Sequence, residues 1–114
     1  MKIAIVGSRT ISTVSLDGFV FEGDEIVSGG AVGVDSFAAE YARAHGLLLT
    51  EFLPNYKDYG RAAPIVRNKS IVDYADKVVV FWDGSSRGAL SVIKYAKKVG
   101  KPCEVVVCEM NNEY

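Results

Sequence analysis

One histidine, two cysteines and three prolines are all that this 114-residue chain holds of those residue types. A single His45 and two thiols are too few for a zinc site, so no metal is expected. Cys103 and Cys108 stand five residues apart on one strand-like run, hence on opposite faces, and cannot bridge. Two unpaired thiols fit a reducing cytoplasm. No stretch approaches the roughly 18 apolar residues of a membrane span. The opening Met1-Lys2-Ile3-Ala4-Ile5-Val6-Gly7 is too short for a signal peptide and reads at once as a strand. A basic surplus is missing too: 13 Lys and Arg face 14 Asp and Glu, a formal charge of -1. That balance argues against a protein whose main task is gripping nucleic acid. Two phosphate fingerprints are also absent, the G-x-G-x-x-G dinucleotide motif and the G-x-x-x-x-G-K-[ST] loop of Mg-dependent NTPases.

What the chain does have is alternation. Apolar runs at 2–6, 25–28, 47–53, 77–82 and 103–108 read as strands, several of them continuous enough to be covered on both faces. Amphipathic patterns lie between them: Val34, Phe37, Ala38, Tyr41 and Ala42; Ile65, Ile71, Val72 and Ala75; Leu90, Ile93, Ala96 and Val99. A fourth helix is expected over 11–20, although Gly18 and the β-branched residues weaken it. Gly100-Lys101-Pro102 is a helix stop. Residues 1–114 thus read as a single α/β domain, a Rossmann-like, doubly wound parallel sheet of about five strands with helices on both faces.

Ligands bind such sheets beyond the carboxyl ends of the strands, near the point where strand order reverses. Four loops collect there: Gly7-Ser8-Arg9, Ser28 to Gly33, Pro54 to Arg61, and Asp83 to Gly88. Ser28, Gly29, Gly30 and Gly33 lead into a helix whose free N–H groups and positive dipole end favour an anion. Gly7 and Ser8, with Gly84, Ser85, Ser86 and Gly88, supply further small residues of the same kind. Arg9 off the first strand can clamp a phosphate in bidentate fashion. Arg87, a cation at a helix start, opposes the dipole, and an anionic ligand would explain it. Arg67 and Asn68 sit near the start of the third helix. Asp35 has an easy structural role as a first-turn cap, and could also accept from ribose hydroxyls. Trp82, Tyr56 and Tyr59 border the expected cleft; Tyr59 and Trp82 are taken as the base-stacking pair. His45 reads as a dipole partner at a helix end.

Ser-Gly-Gly-Ala-Val-Gly-Val-Asp at 28–35, Arg67-Asn68-Lys69, Ala75-Asp76 and Phe81-Trp82-Asp83-Gly84-Ser85-Ser86-Arg87-Gly88 together resemble the SLOG superfamily. The resemblance covers nearly the whole chain and is nearest to the small YspA-like branch, related to DNA-processing protein A and the "lonely guy" phosphoribohydrolases. It implies a nucleotide or ADP-ribose-type ligand at the loops named above, and a binding or sensing module. The phosphoribohydrolases carry Pro-Gly-Gly-x-Gly-Thr-x-x-Glu, whose Glu is catalytic; here Ala89 stands at the Thr position and Val92 at the Glu. A valine cannot act as acid, base or oxocarbenium stabiliser. An N-glycosidase would have to use Asp35 or Asp83 instead. Resemblance to DNA-processing protein A is closest at 28–35, where that family usually has Arg in place of Val32. Its single-strand binding is disfavoured here, though Arg61, Arg67 and Lys69 leave a small basic patch. Exposed apolar helix faces on small sheet domains commonly give homodimers or larger homo-oligomers.

Overall fold

In the computed structural model, which describes residues 1–11 and 13–108, five strands form one parallel sheet ordered β3-β2-β1-β4-β5. The strands are β1 Lys2–Gly7, β2 Glu25–Ser28, β3 Leu48–Glu51, β4 Lys77–Trp82 and β5 Cys103–Val107. Helix α1 (Val34–Ala44) joins β2 to β3, α3 (Ala63–Tyr74) leads into β4, and α4 (Arg87–Val99) joins β4 to β5. A single-turn helix, α2 (Tyr56–Tyr59), and a 3₁₀ turn at Gly60–Ala62 precede α3. The expected α/β, Rossmann-like parallel sheet is therefore the fold. Among the described residues no helix is long and apolar enough to cross a membrane.

Strand alternation splits the core in two. Ile3, Ile5, Ile26, Val79 and Phe81 pack beneath Val34, Ala38 and Ala42 of α1. Ala4, Val6, Val27, Val78 and Val80 pack on the other face against Ile71 and Val72 of α3 and Ala89, Val92 and Ala96 of α4. Successive side chains of a strand point to opposite faces, so a continuous apolar run serves both layers. The same alternation separates the thiols: Cys103 borders the second layer and Cys108 the first, and both are free. Burial pushes the Cys103 thiol pKa up.

The helix expected over 11–20 is a correction. Ser12 lies outside the described residues, and the rest of that span is irregular with one turn at 17–19. Ile11, Leu16 and Val20 are nonetheless buried in the first layer. Their spacing of five and four residues lets a looped segment insert three anchors, and Gly18 takes φ +86° where a helix needs negative φ. Asp24 closes the segment by accepting from the Phe21 N–H and the N-terminal ammonium.

Candidate functional site

The chain winds outward from β1 through β2 to β3, then returns to place β4 on the other side of β1. Strand order reverses between β1 and β4, and a cleft of about 400 Å³ opens above their carboxyl ends. Val6, Gly7, Arg9 and Thr10 line it from β1 and its loop, Asp35 from α1, Pro64, Arg67, Asn68 and Ile71 from α3, Asp83 and Ser86 from the β4–α4 turn, and Gly88 and Ala89 from the first turn of α4. A second basin of about 340 Å³ adjoins it and shares Arg9, Ala31 and Arg67.

The turn after β4 is built by one carboxylate. Asp83 Oδ1 accepts from the Ser85 and Ser86 N–H groups at 2.9 and 2.8 Å, and Oδ2 from the Thr10 hydroxyl at 2.8 Å. These donors, the backbone pair foremost, hold its pKa far below the usual carboxylate range. Asp83 is therefore an ionised anchor, unsuited to donating a proton. Ser8 completes the tie: its N–H donates to Phe81 O, its Oγ accepts from Asp83 N, and the residue is buried. Thr10, which no motif singled out, thus clips the two loops that face each other across the cleft. Ser86 caps α4 by accepting from Ala89 N.

Across the cleft, α1 has no side-chain cap on Gly33. Asp35 instead turns back, and its Oδ2 accepts from Ala31 N at 3.1 Å. The side chain is buried, and that burial raises its pKa despite the Ala31 and Gly29 N–H groups and the Arg67 charge, which lower it; Glu51 adds to the rise. Arg67 lies alongside. Its Nη1 donates to Gly29 O at 2.6 Å and Phe52 O at 3.5 Å, and Nε to Asn68 Oδ1 at 2.8 Å. Nη2 has no hydrogen-bond partner among the described residues. Arg9 is exposed and its guanidinium likewise has none. Neither Arg9 nor Arg67 lies within 4 Å of a carboxylate oxygen of a described residue, the ion pairs there being Met1–Asp24 and Lys77–Glu104.

The glycines divide by what surrounds them. A Cβ on Gly7 would lie 2.3 Å from Val34 Cγ2, so Gly7 lets α1 seat on β1. A Cβ on Gly29 would meet Arg67 Nη1 at 2.5 Å and Asp35 Oδ2 at 3.0 Å, so this glycine brings those charges together over one Cα. Gly33, at φ 83° and ψ −126°, sits against three carbonyls of the β1 loop. Gly88 alone of the cleft glycines faces open space. Ser28 is buried, and its Oγ accepts from Gly30 N.

Other expected site residues stand apart. Trp82 donates Nε1 to Ser86 O and packs in the second core layer. Tyr59, Arg87, Gly84 and Ser85 are exposed and line neither basin, whereas Tyr56 lines the second. Among the described residues no three His, Cys, Asp or Glu side chains are grouped to hold a metal.

No protein-family model matches the chain, and no curated protein matches it. Its site must speak for itself.

The buried Asp35 gives that site a pH signature. A carboxyl whose pKa is higher folded than unfolded binds its proton more tightly in the native state. Its contribution to stability is then fullest below the ordinary aspartate value and is lost as pH rises through the raised folded value. Thermal melts of the wild type and Asp35→Asn across pH 3.5–7 should show the wild type losing ground to the variant as pH rises. A difference that stays flat, or grows in the wild type's favour with pH, would show that Asp35 is not disfavoured as an anion.

Proposed function

We propose that the cleft holds the phosphate of a nucleotide or nucleotide-derived small ligand, and that the protein is a binding or sensing module. The observation that carries this reading is the convergence of Arg9 and Arg67, without ion-pair partners among the described residues, on the crevice where strand order reverses. A guanidinium group binds phosphate oxygens through paired, charge-assisted hydrogen bonds. The Arg87 and Gly88 N–H groups in the first turn of α4 have no hydrogen-bond partners among the described residues and add the positive end of a helix dipole. The resemblance to the SLOG superfamily points to the same ligand class. The free thiols Cys103 and Cys108 make a reducing cytoplasm the compartment that this reading assigns.

Hydrolysis fits less well. Val92, at the position of the phosphoribohydrolase Glu, is fully buried beneath α4 and does not reach the cleft. Of the cleft carboxylates, Asp83 is committed to its turn, which leaves Asp35 alone. One protonatable carboxylate lacks the second group that glycosidic cleavage uses.

A thermal-shift screen against mononucleotides, dinucleotides, cyclic nucleotides and ADP-ribose tests the reading. Ligand at 100 times its Kd should add roughly 2.7 kcal/mol. For the best ligand, Arg9→Ala should weaken binding by roughly 10- to 100-fold, the range for a charge-assisted hydrogen bond, with the unliganded melting temperature unchanged. No shift with any nucleotide would sink the proposal, as would an Arg9→Ala variant of unaltered affinity. Tight, steeply salt-dependent binding to single-stranded oligonucleotides alone would favour the nucleic-acid reading instead.

A further inference from the structure

The second basin has a composition unlike the first. It is lined by Val32, Pro54 and Tyr56 with Gly29 and Gly30, carries no carboxylate, and shares Arg9 and Arg67 with the first. Val32 and Tyr56 are 65% and 59% exposed. Leu53, 68% exposed, leans against Gly30, where an added Cβ would come within 2.5 Å of its Cδ2. Large apolar side chains gathered beside an arginine-bearing cleft mark a place that something apolar covers. Tyr56 opens the single turn of α2, which its neighbours cap. Asn55 Oδ1 accepts from Asp58 N at 3.1 Å, and Asn55 Nδ2 donates to Asp58 Oδ2 at 2.8 Å, so the single turn of α2 does not depend on Tyr56. Arg9 and Arg67 stand at the junction of the two basins.

We propose that the second basin is the subsite for an aromatic base, which stacks on Tyr56 while the phosphate of the same molecule lies in the first basin between Arg9, Arg67 and the α4 N-terminus. This rests on the phosphate reading given above and adds to it the ligand's other half. The ligand class is then a nucleoside 5′-phosphate; a phosphorylated sugar alone fills only the first basin. Small-molecule sites take about 300–1,000 Å³, so a ligand using both basins falls within the ordinary range and one using only the first sits near its lower end. Tyr56, whose side chain is exposed and outside both core layers, is a specificity residue.

The test is calorimetric titration of wild type, Tyr56→Ala and Tyr56→Phe with the four ribonucleoside 5′-monophosphates and with ribose 5-phosphate. The tightest monophosphate should bind wild type at least about tenfold better than ribose 5-phosphate. Tyr56→Ala should weaken it by roughly 5- to 150-fold, the range for one base stacked on an aromatic ring, and leave ribose 5-phosphate unchanged. Tyr56→Phe, which keeps the ring, should bind like wild type. If Tyr56→Ala binds the monophosphates like wild type, or weakens both ligand types equally, the base subsite is wrong while the phosphate reading stands. If neither ligand type binds wild type, the base subsite falls, and the phosphate reading is decided by the wider nucleotide screen.

Discussion

Val92→Glu is expected to cost roughly 3–5 kcal/mol, the range for leaving a buried charge without a partner. The substitution copies the acid of the phosphoribohydrolase motif into the position that the resemblance aligns with it. Val92 is wholly inaccessible and packs with Ala89, Ala96, Val78 and Val80 between α4 and the sheet. A carboxylate there would face hydrocarbon, with no cation or donor among the buried residues of that layer. Small domains are stable by about 5–15 kcal/mol, so the variant should sit at the edge of folding. Urea denaturation reads the loss directly, and Val92→Leu serves as a volume control, with a penalty nearer 1 kcal/mol. A Val92→Glu protein that melts close to wild type and releases free base from nucleoside monophosphates would show that the helix can turn this position into the cleft. The burial argument against a reachable acid at position 92 would then be wrong.

Gly33→Ala should be nearly as damaging, at about 3 kcal/mol, or a fall in melting temperature of roughly 12 °C for a chain of this length. Two effects combine. The backbone at φ 83° and ψ −126° lies in a region that L side chains scarcely enter. The new methyl would also stand 2.8 Å from Ile11 O and 3.2 Å from Arg9 O, backbone atoms that can move only by displacing the β1 loop. Gly88→Ala is the matched comparison. It has negative φ and open space around it, and lies in the first turn of α4. Alanine there should be neutral or stabilising by up to about 1 kcal/mol, because it restricts the unfolded chain and favours helix. Equal effects at the two positions would show that the Gly33 geometry carries no penalty of its own.

That contrast shows how the candidate site was written in the sequence. Glycines at strand–helix junctions are visible as letters, and together they marked the edge of the sheet where the cleft opens. Their separate reasons were not visible. Gly7 makes room for Val34, Gly29 for the Arg67–Asp35 approach, and Gly33 for the carbonyls of a loop some twenty residues earlier. Asp83 and Asp35 likewise look alike as acids beside glycines. One is surrounded by donors and kept ionised, the other is buried, and their pKa values move in opposite directions. The aromatics repeat the lesson. Trp82 ends a strand whose last side chain faces the α4 layer, so its ring joins the core. Tyr56 follows Pro54-Asn55, a strand stop and a helix cap, and that punctuation was the available signal for a residue set on a fixed turn.

By itself the sequence determined the parallel sheet, its five strands and the edge where four loops converge. Those follow from hydrophobic period and glycine punctuation, which are local properties of the chain. The irregular path over 13–20 was decided by tertiary structure, because three buried anchors at Ile11, Leu16 and Val20 satisfy the core as well as a helix would. Tertiary structure also decided which residues meet. Arg9, Asp35, Arg67 and Asp83 come from four separate elements, and only the crossing of β4 back beside β1 brings them to one cleft. Burial and hydrogen-bond supply are set by that meeting, so the charge state of each carboxyl, and with it what the cleft can hold, belongs to the fold.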